Sequence, residues 1–405
     1  MKSLMRAVVT AIVVTSTVFV AEHASAQSRV DVVPSVAVAN IYDNNLFAQT
    51  EGGAGNLLRL RPGIEANVLT PRLTLGSFAT FDAQRSNHAD LNTFDARRHG
   101  DFALQYRTTP RTTVGTVASY DRTETPGELN LITGILSDRL QAHRWEVTPT
   151  FTHMLAPRLA FSASYSWTEE DQDGTGAQRM QVTRATLSRA YSQLTNLTLG
   201  FLGRHFDDNF DDTNSSFAPM FGWEHTVAPG TLLSVAAGPR ASTYRSVAPE
   251  VVASFVRATS HIGMAFDYWH GETIVLGIRG PVVVDSGTAT ISWPIRLHFD
   301  ITSRSAVSGI TTLADERLTT YRQGVIASWS PRPWYTIGAD YGVDYQQGVI
   351  RHNLFFDENV LRHVFRVSLT VAPRFSRAIK PVDDPAARVK GVTRSSQSGG
   401  KGVSQ

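Results

Sequence analysis

The 405-residue chain contains no cysteine. Disulfides, thiol catalysis, cysteine-held metal and a cysteine-anchored lipid are therefore excluded. Lysine is scarce, and arginine supplies most of the positive charge. Excess charge of either sign is missing too. The 38 Lys and Arg stand against 36 Asp and Glu, which gives no general pull toward nucleic acid. After the N-terminal segment there is no run of about 18 uninterrupted apolar residues, so no later helix is expected to cross a bilayer. The 12 histidines lack ligand spacing, and no nucleophile elbow occurs. No metal, cofactor or catalytic residue is nominated, and the expectation is a protein that is not an enzyme. "DQDGTG" (171–176) partly matches a calcium loop through Asp171, Asp173 and Gly176, but its twelfth position is Val182 rather than Glu. It reads as an acidic surface loop. So does "DDNFDD" (207–212), with divalent-ion bridging to lipopolysaccharide as its functional alternative.

The N-terminus carries what an export signal needs. Lys2 and Arg6 precede the apolar stretch 7–21, and the small residues "ASA" (24–26) follow it directly. The expected division is a signal peptide over 1–26, one domain over 27–375, and a basic, Ser- and Gly-rich tail over 376–405. The tail composition suits a disordered segment. The alternative for 1–26 is an uncleaved anchor helix.

From residue 57 the chain alternates. Leu58, Leu60, Ile64, Ala66 and Val68 share one parity, and Arg59, Arg61, Glu65 and Asn67 the other. A period of two is a strand with one greasy and one polar face. Short connections then punctuate the pattern: "LTPRLTL" (69–75), "TTPRTTV" (108–114), "LAPRLAF" (155–161) and "SPRPWYT" (330–336). Proline fixes φ for a tight turn and removes a donor from the ladder. Between them lie longer polar connections at 85–95, 122–141, 168–178, 207–215, 302–320 and 346–359. Short and long connections that alternate strictly belong to a transmembrane β-barrel, with short periplasmic turns and long extracellular loops. The fold expected is all-β, an antiparallel up-and-down barrel of about 18 strands, 16 being the alternative. The strands fall near 33–42, 57–68, 72–84, 95–107, 112–122, 143–153, 158–168, 180–191, 196–206, 215–225, 231–242, 250–257, 261–269, 273–284, 288–301, 321–330, 334–346 and 360–372. An even count puts both termini in the periplasm of a Gram-negative bacterium.

The polar parity nominates lumen-lining residues: Arg59, Arg61, Glu65, Arg97, His99, Arg107, Arg144, Glu146, Arg204 and Arg240. They make either a solvated wall of mutual ion pairs or a conduit for a polar, anionic solute. Loops 122–141 and 302–320 are the candidates to fold inward, the first through Leu129, Leu131, Ile132 and Ile135. Trp145, Trp167, Trp223, Trp269, Trp329 and Trp334 stand near strand ends, as an aromatic girdle requires, and Trp293 does not. The arginine after each turn proline is either a solvated turn residue or a contact with anionic phospholipid.

"VANIYDNNLFAQT" (38–50), "LLRLRPGIEANV" (57–68), "PMFGWEHTVAPGTLLSVAAGPR" (219–240) and "APEVVASFVR" (248–257) resemble bacterial outer-membrane β-barrel porins, in particular the EpsL-type proteins of exopolysaccharide operons. The resemblance spans about 30–375. It implies an outer-membrane role in polysaccharide export, with lipid, lipopolysaccharide, polysaccharide and periplasmic export proteins as partners. A structural or adhesive barrel with a blocked lumen and a nonspecific solute porin are the alternatives.

Overall fold

The computed structural model describes residues 28–50, 52–130, 132–208, 213–296, 298–348, 350 and 359–379. The expected signal segment and the tail beyond 379 lie outside them. Eighteen long strands follow one another: β1 (Ser28–Asp43), β2 (Gly55–Leu69), β3 (Leu73–Ser86), β4 (Thr93–Thr109), β5 (Thr112–Thr123), β6 (Ala142–Ala156), β7 (Leu159–Gln172), β8 (Gly176–Ala190), β9 (Thr195–Asp208), β10 (Thr213–Ala228), β11 (Thr231–Ser242), β12 (Ala248–Ala258), β13 (Gly263–Val275), β14 (Ile278–Arg296), β15 (Phe299–Thr311), β16 (Arg317–Arg332), β17 (Tyr335–Gly348) and β18 (Asn359–Val371). A short β19 (Phe375–Ile379) completes the ladder.

From β1 to β18 each strand pairs antiparallel with the next, and β18 returns to β1 through Val36↔Val371 to Asp43↔Val364. The remainder of that edge of β1 is taken by β19, from Ser28↔Ile379 to Val32↔Phe375. The other edge of β1 pairs with β2. The sheet is thus a closed antiparallel up-and-down barrel with its ladder donors and acceptors paired, the one sheet arrangement that leaves no open edge. Strand pairing runs four residues past the expected barrel end at 375.

Alternation sorts the side chains. Leu58, Leu60 and Ile64 are exposed on the outside, while Leu57 and Arg59, which flank Leu58, are buried inside. Val325, Trp329, Phe365, Val367 and Leu369 continue the apolar outer belt. The Pro-Arg and other tight turns that follow the even-numbered strands gather on one rim with Ser28 and Ile379. The longer connections lie on the other, together with two tight turns at 173–175 and 276–277. The expected long loop 168–178 is therefore mostly strand, in β7 and β8. In the first Pro-Arg turn the Thr70 hydroxyl accepts from the Leu73 amide at 2.8 Å. The β10–β11 turn needs Gly230, whose φ is +74° and where a Cβ would lie 2.3 Å from the Ala258 carbonyl.

The strand count agrees with expectation, but the division of 273–320 does not. There is no break at 285–287: β14 runs through "DSG" without interruption. The region read as the long loop 302–320 is mostly β15, leaving a connection of only 312–316. The cause is the composition of the outer face. Asp285, Gly287, Ser303 and Ser305 stand at outward positions, so the greasy parity that marks a strand is missing there. With these boundaries Trp293 lies three residues from the end of β14 and is exposed on the outer face.

Candidate functional site: the lumen and its inward-folded loops

Burial along inward positions changes from one rim to the other. In the loop-rim half Leu57, Val282, Val284, Ile310, Leu318 and Val360 are all buried. In the turn-rim half the inward residues Arg184, Glu224, Asp267, Asp300 and Arg304 are exposed. The lumen is therefore open to water at the turn rim and filled by protein near the loop rim.

The filling is chiefly the β5–β6 connection, residues 124–141. Its short 3-10 turn at Pro126–Glu128 brings Glu128 against the near wall, where its carboxylate accepts from Arg59 at 2.9 Å and Arg97 at 3.2 Å. Arg144 on β6 donates to the Leu129 carbonyl at 2.8 Å. The loop then crosses to β14–β17, half the 18-strand circumference away. Ser308 and Ser286 donate to the Ile132 carbonyl at 2.9 and 3.2 Å, and Thr320 donates to that of Thr133. Gln346 accepts from the Leu136 amide at 2.8 Å. The loop is a strap tied at both walls, with the Leu129, Ile132 and Thr133 carbonyls and the Leu136 amide answered by wall side chains.

Two more segments join it. The β13–β14 hairpin tip folds inward, and Gln178 of β8 holds it by donating to Ile278 and Val275 carbonyls and accepting from the Gly280 amide at 3.0 Å. The β1–β2 connection adds Leu46, whose carbonyl accepts from Arg139 of the strap at 3.2 Å. Ile135, Val275, Ile278, Val282, Val284, Ile310, Leu318 and Ile350 then form one buried apolar cluster inside the barrel. Of the expected inward loops, 122–141 is there, with Leu129 and Ile135 buried and Ile132 exposed; Leu131 lies outside the described residues. The 302–320 segment is not, because it is strand and wall.

The nominated arginines face the lumen, but they bring counter-charges with them. Arg61 makes two bonds to Asp82, at 2.6 and 2.7 Å. Arg97 also reaches Asp121, which His99 shares. Arg144 pairs with Glu170, and Arg204 with Glu250 at 2.6 Å. Arg240 bridges Glu250 and Glu272 at 2.9 and 3.0 Å. Glu65 accepts from Asn67 and Glu146 from Ser166. Arg107 stays exposed near the turn rim. The wall alternates in sign and does not form an anion-selective ladder. Asp43, Asp344 and Arg362 form a further chain on the far side of β1. Sequence reading missed Glu128, Gln178 and Gln346. All three lie in or beside loops, where parity says nothing.

Within the strap, burial acts to raise the Glu128 carboxyl, but Arg59 and Arg97 outweigh it and hold it down at about 2. Burial, helped by Arg59, lowers the Arg139 guanidinium to about 10. Burial raises Glu124.

Five of the six nominated tryptophans stand on outward positions or turns near a rim. Trp145, tilted against Tyr120 with ring centroids 4.2 Å apart, and Trp167 lie on outward positions toward the loop rim. Trp223, Trp329 and Trp334 are exposed toward the turn rim, where Trp293 joins them. Trp269 is the correction. Its parity on β13 points inward, and it packs on the apolar cluster of the plug.

No family model and no curated protein sequence matches this chain. Among solved structures it is similar to OccAB4 of Acinetobacter baumannii, at 11% identity over 86% of this chain and 99% of that one, with a TM-score of 0.47. It is similar to OpdK of Pseudomonas aeruginosa, solved with vanillate, at 10% identity over 86% and 99%, TM-score 0.46. The ferric enterobactin receptor PfeA of Pseudomonas aeruginosa matches at 10% identity over 87% and 81%, TM-score 0.44. Likeness this distant says nothing of what passes through any of these barrels.

Proposed function

We propose that the chain is a porin-type channel of the bacterial outer membrane for small polar solutes, with its short turns and both termini in the periplasm. The observation that carries this reading is the pairing of an apolar outer belt with a lumen that is wet at one end and filled at the other by a loop strap rather than by a separate domain. An outside of Leu, Val, Phe and Tyr rimmed by Trp suits lipid, and a closed ladder is the only sheet that lipid tolerates. Solutes would enter the turn-rim vestibule and pass beside residues 128–136. The mixed-sign wall favours polar molecules without strong charge preference.

The role in polysaccharide export that the family resemblance implies draws no support from this geometry. A polymer would have to displace the strap together with the apolar cluster beneath it. That cluster does favour a second reading, a barrel with a shut lumen that serves as a structural or adhesive element. Planar-bilayer recording separates the two. The channel reading expects small single-channel steps from the full chain, and larger ones once residues 129–136 are replaced by a short Gly-Ser linker. If neither protein conducts, the channel reading is wrong and the shut barrel stands.

A further inference from the structure

The outer surface carries a groove that the channel does not use. It lies across β7–β10 at the turn rim, has a volume of about 540 Å³, and is floored by Leu159, Leu187, Leu197, Leu199 and Phe221. All five stand on the outward parity, and Leu199 and Phe221 are register partners. At its rim end the lining changes from hydrocarbon to charge, with Arg158 from the β6–β7 turn and Arg189 from the end of β8. Both arginines are exposed.

Their surroundings are unusual for this protein. Most arginines inside the barrel are matched to a carboxylate, as Arg61 is to Asp82 and Arg204 to Glu250. Among the described residues, no carboxylate bonds to Arg158 or Arg189, and none occupies an outward position in the turn-rim half of β7, β8, β9 or β10. His225, stacked on Trp223 and held by Thr195 at 3.0 Å, stands near the same end of β10. A larger outer groove of about 810 Å³, over β11–β17, serves as an internal comparison. Its one lining arginine, Arg322, stands on the inward parity and is bonded to Asp344 on the lumen side, so that groove presents no guanidinium outward. Two free guanidiniums directly above an apolar trough match an amphiphile with an anionic head and hydrocarbon tails. Arginine forks suit phosphate oxygens, and a guanidinium at the interface of a bilayer sits at headgroup level.

We propose that this groove is a binding site for one anionic glycerophospholipid of the periplasmic leaflet, its phosphate between Arg158 and Arg189 and an acyl chain along Leu187, Leu199 and Phe221. The inference rests on the outer-membrane reading, which fixes which leaflet meets the turn rim.

The test uses the full chain in detergent, with phosphatidylglycerol titrated and adducts counted by native mass spectrometry, and phosphatidylcholine as the neutral control. One phosphatidylglycerol should be retained at a concentration about tenfold below that needed for phosphatidylcholine, the step that a single charge-assisted hydrogen bond supplies. Arg158→Gln with Arg189→Gln should abolish that preference, while Arg332→Gln, on the opposite side of the same rim, should leave it. Arg189→Gln alone should give an intermediate preference, and it serves if the double variant fails to fold. Equal binding of the two lipids, an unchanged preference in the double variant, or displacement by millimolar inorganic phosphate would each overturn the site. So would a dimer that the double variant splits, since the groove would then hold a second copy. Folding is read separately, from the heat-dependent shift on an unboiled gel. A chain that lacks the shift and dissolves without detergent would count against the membrane reading instead.

Discussion

Replacing Glu128 by Gln should loosen the strap without unfolding the barrel. The carboxylate is the near-wall anchor of residues 124–141, held by Arg59 and Arg97. Its pKa of about 2 against an ordinary 4.5 is a difference of about 2.5, worth roughly 3 kcal/mol at about 1.36 kcal/mol per pH unit. The side chain is 23% exposed to lumen water, which screens part of this, so about 2 kcal/mol is the working figure. Losing that amount raises the undocked population roughly 30-fold. The absence of native cysteine offers a direct readout. A single Ile135→Cys replacement puts a thiol at a fully buried position of the strap. Its maleimide labelling rate at pH 7 follows the open population when reclosing is fast. The rate should rise about 30-fold when Glu128→Gln is added. Rates within about twofold of each other would refute the assignment of Glu128 as an anchor, and with it the reasoning that the near-wall ion pairs hold the strap.

The same group sets an acid response. Because its docked pKa lies below the undocked one, its contribution is complete above about pH 4.5 and lost as pH falls toward 2. Single-channel conductance should therefore rise over that window and should rise less in Glu128→Gln. On the outer belt, Val307→Arg should cost about 2–4 kcal/mol, whereas Arg304→Gln, facing the lumen three residues earlier, should change stability by less than about 0.5 kcal/mol. Urea titration of the refolded barrel in lipid checks both, and equal effects would contradict the assigned faces. Gly238→Ala would place a Cβ 1.7 Å from the Pro219 carbonyl of the neighbouring strand. It should lower stability by about 1–3 kcal/mol, seen as a lower temperature for loss of the compact gel form, and an unchanged transition would refute the close approach.

The architecture was legible where both faces of a strand declare themselves. In β2, Leu58 and Leu60 against Arg59 and Arg61 settle strand, faces and lumen side at once. It was misread at 285–311, where Ser303, Ser305 and Gly287 take positions that lipid-facing strands usually fill with larger apolar residues. The girdle was legible as rim placement, but Trp269 shows that nearness to a strand end does not fix facing. Parity does. The lumen arginines were legible one by one, yet their partners were not. Glu250 and Glu272 come from other strands, and Glu128 comes from a loop whose inward course depends on Ser286, Ser308 and Thr320 across the barrel.

Ser28 and Ile379 face each other across one rung. Whatever precedes the first strand and whatever follows the last therefore leave the wall at a single point on the same rim. A short peptide joining the two would close the chain into a ring without crossing the lumen, because the ends already meet within the wall.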